Sequence, residues 1–426
     1  MKTRTKLAVA VSAALWLIPI SQAVAGIDFP AGDWKVDISG NVNAFYVGAG
    51  CDDGPASKTL ITGGLACTGS DSAAVRNGLL PAALVFSATS RQGDLDVGVT
   101  IGLYPGINSS AAAGVNGPGL PAALQTPGID ARQAFFTFGD ASWGTMKLGR
   151  DIGIYAKDAI LDDMTLLGVG STGGNAAPGN TSLGRIGIGY IYTDWIPQIT
   201  YSTPNFGGFN FSAGIFQPLD AVGSATYTKH DEPQFQAGMN YAWGDTPQQG
   251  FTGKFWLDVV SQKAQATTAD IAANGIGADK SFTGNSWDGG IKLGIGGFEA
   301  VLYGYTGSGI GTTGILILPT SATGQKRDSD GGYVQLTYKF DRLKLGISYG
   351  ESRLKLASDE KLVINPLGGG YASDLVKQNK SGVLGAYYSL TKSITLVGEY
   401  ADTKSNAWNG NSADEQTYIL GGIIFF

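Results

Sequence analysis

Trp34-Lys35-Val36-Asp37-Ile38-Ser39-Gly40-Asn41-Val42-Asn43 places apolar or small residues at even positions and polar residues at odd ones. A period of two is that of a β-strand with one face in an apolar medium and the other in water. A helix would repeat its apolar residues at i, i+3 and i+4. The same pattern returns over residues 95–104, where Leu95, Val97, Val99, Ile101 and Leu103 oppose Asp96 and Thr100. Over residues 332–340, Val334, Leu336, Tyr338 and Phe340 oppose Tyr333, Gln335, Thr337 and Lys339. Just beyond, Leu343, Leu345, Ile347 and Tyr349 oppose Lys344 and Ser348.

A soluble β-sandwich alternates too, so alternation alone does not choose the medium. Three further features do. Turns at one end of the strands are short: 91–93, 139–143, 204–208, 244–249, 294–297, 341–342 and 391–393. Connections at the other end are long: 47–78, 105–129, 151–184, 218–232, 262–285, 307–330, 353–380 and 404–414. Short turns alternating with long loops mark outer-membrane barrels. The second feature is the count. Strands are expected at 34–46, 79–90, 94–104, 130–138, 144–150, 185–203, 209–217 and 233–243. They continue at 250–261, 286–294, 298–306, 331–340, 343–352, 381–390, 394–403 and 415–426. Sixteen is an even number, as closure with both ends on one side requires. An open edge in lipid would leave backbone groups without partners. The third feature is the terminus, an aromatic strand that stops on Phe426, with Tyr418, Leu420, Ile424 and Phe426 on one face. Aromatics near other strand ends (Trp34, Tyr46, Trp143, Phe206, Trp243, Phe298, Phe340, Tyr400) suit interfacial girdles. The expected fold is all-β: a transmembrane antiparallel barrel of sixteen strands.

Composition agrees. The chain of 426 residues holds 65 glycines, 15% charged and 10% aromatic residues. Residues 1–25 read as a signal peptide: Lys2, Arg4 and Lys6, an apolar run from Leu7 to Ile20, then Ala23-Val24-Ala25 before cleavage. The single barrel domain is then 26–426. No later stretch approaches the roughly 18 apolar residues of a membrane helix. That does not argue against a barrel, whose alternating residues average out. Without the leader, 26 basic residues face 35 acidic ones, a net charge of −9. An acidic exported chain is a poor partner for nucleic acid. Export also implies an oxidising compartment, so the two cysteines, Cys51 and Cys67, are expected to form one disulfide. His230 is the only histidine, no metal-ligand spacing occurs, and no cofactor is expected. Gly168-Val169-Gly170-Ser171-Thr172-Gly173 matches G-x-G-x-x-G formally, but no βαβ unit surrounds it. A Ser–His hydrolase on a barrel is formally open to His230, which sits among charges in Lys229-His230-Asp231-Glu232-Pro233 and reads as a solvated loop residue. The chain is not expected to be an enzyme.

Arg132-Gln133-Ala134-Phe135-Phe136-Thr137-Phe138, followed by Trp143-Gly144-Thr145-Met146-Lys147-Leu148-Gly149-Arg150-Asp151, resembles the general porins of Gram-negative outer membranes. Tyr201-Ser202-Thr203-Pro204-Asn205-Phe206-Gly207-Gly208-Phe209 is similar to a turn of the same family. The leader, the strand count and Phe426 extend the resemblance over the whole chain. It implies an outer-membrane homotrimer of sixteen-stranded barrels, embedded in lipid and read by the barrel-assembly machinery through Phe426. Each barrel would be a water-filled channel for small hydrophilic solutes and ions. A third loop, here about 151–184, would fold inward and narrow it. The family sets acidic residues on that loop against a basic wall, a transverse field that favours small polar solutes. By position, the acidic set is Asp158, Asp162 and Asp163, and the basic set is Arg132, Arg150 and Arg185. Alternation at the first motif is read with Arg132 and Ala134 facing inward and Phe135 outward.

Two departures stand out. Leu79 to Ser90 holds no arginine, where the family often has one. Loop three reads Ile160-Leu161-Asp162-Asp163-Met164-Thr165-Leu166-Leu167-Gly168-Val169, apolar for a water-lined constriction. Packing of the loop against the inner wall is the favoured reading. The alternative is a substrate-selective channel for small organic acids or aromatic compounds.

Overall fold

The computed structural model describes residues 26–108, 128–176, 180–244, 250–274, 281–363 and 371–426. The leader expected at 1–25 lies outside the described residues. Eighteen strands form one sheet with antiparallel pairing throughout. The first nine are β1 (Ile27–Ala31), β2 (Trp34–Cys51), β3 (Ser72–Arg76), β4 (Ala83–Gln92), β5 (Leu95–Pro105), β6 (Ile129–Asp140), β7 (Gly144–Ile152), β8 (Trp195–Ser202) and β9 (Phe209–Phe216). The rest are β10 (Gln234–Trp243), β11 (Phe251–Gln265), β12 (Ser281–Ile295), β13 (Phe298–Ser308), β14 (Asp328–Phe340), β15 (Leu343–Leu354), β16 (Val376–Ser389), β17 (Ile394–Ala407) and β18 (Ser412–Phe425).

Sixteen of these close a barrel, and β1 and β3 are five-residue additions to it. The seam joins the two ends of the chain. Residues Glu415 to Phe425 of β18 pair with Cys51 to Asn41 of β2, and Gly40 and Phe426 exchange both backbone hydrogen bonds at 2.8 and 3.1 Å. Where β18 stops, β1 takes over the same edge of β2, pairing Ile27 to Ala31 with Ile38 to Trp34. The other edge of β2 is shared in the same way: β4 pairs along Lys35 to Asn41 and β3 along Phe45 to Ala49.

Register turns the alternation into two surfaces. Val301, Gln335, Ser348 and Val383 stand side by side on β13 to β16 and are all buried. The next row, Leu302, Val334 and Tyr349, is exposed on the outer face. Rings join along the short-turn end: Phe209 to Tyr241 at 4.3 Å, Tyr241 to Trp243 at 5.6 Å, Trp243 to Phe251 at 6.0 Å and Phe298 to Tyr338 at 4.4 Å. Such a girdle marks one interface of the apolar band.

Two expected strands move. The one expected at 79–90 begins at Ala83, because Pro81 has no N–H to give a ladder. The one expected at 185–203 is only Trp195–Ser202, and residues 185–194 join the preceding connection. Elsewhere strands run longer than the apolar pattern. The 14 residues of β17 span roughly 46 Å, against an apolar band about 25 Å tall. The connection expected at 404–414 therefore shrinks to 408–411.

An arginine on the outer face at mid-strand should cost stability where one on the inner face does not. Leu336→Arg is expected to lower stability by about 2–4 kcal/mol, whereas Ser212→Lys, on the inner face of β9, is expected to change little. Urea unfolding of both variants in lipid checks this.

Candidate functional site

The inner face varies along and around the barrel. Toward the short-turn end of β2, β4, β6, β9 and β10 it carries hydroxyl and amide side chains that keep part of their surface free, among them Ser39, Ser87, Thr89, Thr137, Ser212 and Asn240, while Asn43, Thr100, Gln133, Gln198 and Gln236, further from that end on these and neighbouring strands, are buried. On β11 to β18 it carries larger groups that are almost wholly covered, among them Trp256, Tyr303, Tyr333, Tyr387 and Val397. Much of what covers them comes from residues 153–176 and 180–194, in the connection between β7 and β8.

That connection has little regular structure, so its backbone amides need outside partners. Inner-face side chains supply them. Gln236 accepts from Ile154 and Tyr155 at 2.6 and 2.9 Å, and Asp288 from Ala156 at 2.8 Å. Gln335 accepts from Met164 at 2.7 Å, and Glu399 from Val169 and Gly170 at 2.8 and 3.0 Å. Glu415 accepts from Gly174 at 3.2 Å. In the other direction, Tyr333 donates to the carbonyl of Ala159 at 2.8 Å. The short helix α1, Lys157–Leu161, starts from Ala156 in the left-handed region at φ 59°. Gly170 (φ 60°) lets the two arms of the connection meet, since a Cβ there would lie 2.7 Å from the Cα of Gly184.

The acidic residues named from sequence divide into two groups. Asp158 and Asp162 turn to lysines that the sequence reading did not single out. Lys254 lies 3.0 Å from Asp158 and 2.6 Å from Asp162, and Lys292 lies 3.2 Å from Asp162 and 3.1 Å from Glu299. Burial opposes ionisation of Asp158, but Lys254 and Lys157 outweigh it and hold its carboxyl below the usual range. Asp163 is buried in the connection itself. It accepts from the Thr165 amide and hydroxyl at 2.9 and 2.8 Å and from Tyr190 at 2.9 Å. Burial raises its carboxyl above the usual range, and the charge of Arg185 opposes the rise.

The arginines do not form one wall. Arg185 belongs to the connection, is fully buried, and donates to the carbonyl of Ser381 at 3.1 Å. Arg132 sits in a β-bulge, where Gln133 pairs with Gly102 but Ala131 pairs with Leu103. The extra residue lets Arg132 and Gln133 both turn inward. Arg132 lies over the Tyr104 ring at 5.5 Å and pairs with Asp130 at 3.2 Å. Past the bulge the parity differs from the sequence reading: Gln133 and Phe135 are buried on the inner face, while Ala134 and Phe136 are exposed. Arg150 stands opposite Ala134 and Pro197, on the outer face of Phe136 and Ile199. This corrects the expectation that it faces inward. From there its guanidinium donates to the carbonyl of Trp195. The inner cation of β7 is Lys147, paired with Asp151, which also accepts from Gln133 at 3.0 Å. Period two over 144–150 was the signal available for Lys147, because it shares parity with Gly149 and Asp151 and not with Arg150.

Cys51 and Cys67 are joined by a disulfide at the root of the β2–β3 connection. It lies against Gly174, and the Cys67 amide donates to Glu415 at 3.0 Å. Glu415 thus ties two connections to β18. Among the described residues, no group of three or more His, Cys, Asp or Glu could hold a metal ion.

Comparison with known proteins gives consistent results. A profile of Gram-negative porins matches residues 8–408. A search of curated protein sequences returns no match. Among solved structures, the outer-membrane channel DcaP of Acinetobacter baumannii superposes with a TM-score of 0.66 at 17% identity, covering 94% of this chain and all of that one. OmpF of Salmonella typhi gives 0.53 at 15% identity, covering 94% of this chain and all of that one. OmpT of Vibrio cholerae, in a trimer form, gives 0.51 at 12% identity, covering 93% and 100%. At these identities the structures speak for the fold, and the profile for the family. The closed sixteen-stranded barrel, with its apolar exterior and partly hydroxylic interior, belongs to the Gram-negative porin family of the bacterial outer membrane.

Proposed function

We propose that the barrel passes small hydrophilic solutes and ions by passive diffusion past its inward hydroxyl and amide side chains. Residues 153–176 and 180–194 fold inward and set the narrowest section. The observation that carries this reading is the free surface kept on the inner face by hydroxyl side chains such as Ser39, Thr89, Thr137 and Ser212, beside a connection whose residues are held against the inner side chains of β10 to β18. A homotrimer is the assembly that the family resemblance favours, and OmpT of Vibrio cholerae has been solved in a trimer form. Phe426, which completes the seam, is the residue assigned to recognition by the assembly machinery. No catalytic role is proposed. His230 lies in an outer connection with its Nε2 2.6 Å from Asp220.

A second reading, selection of partly apolar organic acids, has one observation in its favour. Leu161, Leu167 and Leu183 of the connection are only partly buried. Side chains with free apolar surface at a narrow section would favour solutes with an apolar part.

Planar bilayers should show a stable open conductance, and a protein that never opens would overturn the channel. In liposome swelling, Leu161→Ser with Leu167→Ser should slow benzoate relative to glucose. An unchanged ratio removes the second reading and leaves the first. Asp162→Asn should loosen the connection by leaving Lys254 and Lys292 short of a counter-charge, at about 1–3 kcal/mol. Urea unfolding and increased open-channel noise are the readouts.

A further inference from the structure

The chain is acidic, with 35 acidic residues against 29 basic ones, but the charge on its inner face has a different balance. Many inward carboxylates are buried and committed. Asp162 and Asp163 are held in the connection, Glu399 and Glu415 anchor its amides, and Asp288 anchors Ala156. Among the described strand residues of β7 to β15, the inward cations are five lysines: Lys147 on β7, Lys254 on β11, Lys292 on β12, Lys339 on β14 and Lys344 on β15. All five stand among the four strand residues next to a short turn, so they gather at one end of the lumen.

Register arranges four of them as two facing pairs. Lys254 is directly opposite Lys292, and Lys339 is directly opposite Lys344. Like charges facing each other across a ladder repel and call for a counter-ion. The first pair has one, since Asp158, Asp162 and Glu299 lie 2.6 to 3.2 Å from its ammonium groups. The second pair has none. Among the described residues, no carboxylate lies within ion-pair distance of Lys339 or Lys344. Lys344 rests over the Tyr387 ring at 4.8 Å. The charges that act on it are Glu299, Lys292, Lys339 and Glu399. Glu299 is paired with Lys292, and Glu399 is held by Tyr387 at 2.6 Å and by two backbone amides. Both lysines keep part of their surface free.

We infer that Lys339 and Lys344 determine the charge selectivity of the channel. They form an anion-holding step at the short-turn end of the lumen, so that chloride and small carboxylates pass ahead of cations through an acidic protein. Anion and ammonium pair without transfer of a proton, and the lysine stems keep the step flexible enough to release what it holds. The inference rests on the channel reading above. It adds the sign of the preferred solute and the residues that set it.

Reversal potentials across a tenfold KCl gradient test it with the full-length protein in planar bilayers. The wild type should favour chloride over potassium. Lys339→Gln with Lys344→Gln should lower that ratio by roughly sevenfold per lysine, since one unit charge at about 7 Å in water weights the anion and the cation by roughly threefold each in opposite directions. The effect should shrink at molar salt, where screening is strong. Lys339→Arg with Lys344→Arg should keep the ratio, which separates charge from folding. Lys404→Gln, on the outer face and paired with Asp414, should also keep it. A wild type that prefers potassium, or a double Gln variant with the wild-type ratio, overturns the inference while leaving the channel intact. Absence of any open conductance would overturn both.

Discussion

In hydrocarbon, a backbone N–H or C=O without a partner costs several kcal/mol, so a sheet in that medium has to close. Here closure depends on β2, which carries an additional partner on each edge. It receives β18 along Asn41 to Cys51 and β4 along Lys35 to Asn41. The remaining lengths of its edges, where neither reaches, are taken by β1 and β3. Gly40 sits at the changeover and bonds to Phe426, so the last residue of the chain ends the ladder without leaving a gap. The two short strands therefore complete the pairing of the longest strand.

A closed barrel of this size leaves more interior than its own side chains can fill. Residues 153–176 and 180–194 pack side chains against the inner face, but an irregular chain brings unpaired amides with it. The polar side chains on β10, β12, β14, β17 and β18 meet that need one by one. A purely apolar inner wall could have covered the connection but could not have held its backbone. Specific anchors also fix the connection against β10 to β18, whereas Gln198 on β8 is spent on the carbonyls of Asp151 and Ile152 at the end of β7.

How much of this could be read from sequence follows from distance along the chain. Period two, turn length and the even count are local, and they located all sixteen strands. Parity on a strand is local as well, and it holds until a bulge shifts it. Nothing in the order Arg132-Gln133-Ala134 announces a bulge, so Phe135 was placed on the wrong face. At 144–150 no bulge intervenes, yet the family motif drew attention to Arg150 when the parity of the strand favoured Lys147. Ion pairs were the least legible. Asp158 and Lys254 meet only because a connection crosses to strands far along the chain, and no spacing records that. Arg185 reads as a wall residue only when its strand starts at 185, ten residues before Trp195, where β8 begins.

The apolar character of the connection shows why a composition can support two readings at once. Ile160, Met164, Leu166 and Val169 are buried against the wall, where they meet Tyr190, Tyr333, Val383 and Val397 among others. Leu161 and Leu167 lie one residue along from Ile160 and Leu166 and keep free surface. Helical turns over 157–161 and 164–167 present neighbouring residues to different sides. Most of the apolar side chains are therefore explained by packing, and only the remaining leucines bear on what passes. The run from Ile160 to Val169 is amphipathic about the local axis. An apolar segment inside a porin is thus compatible with a wet passage, provided its short helical turns set the packing side against the wall.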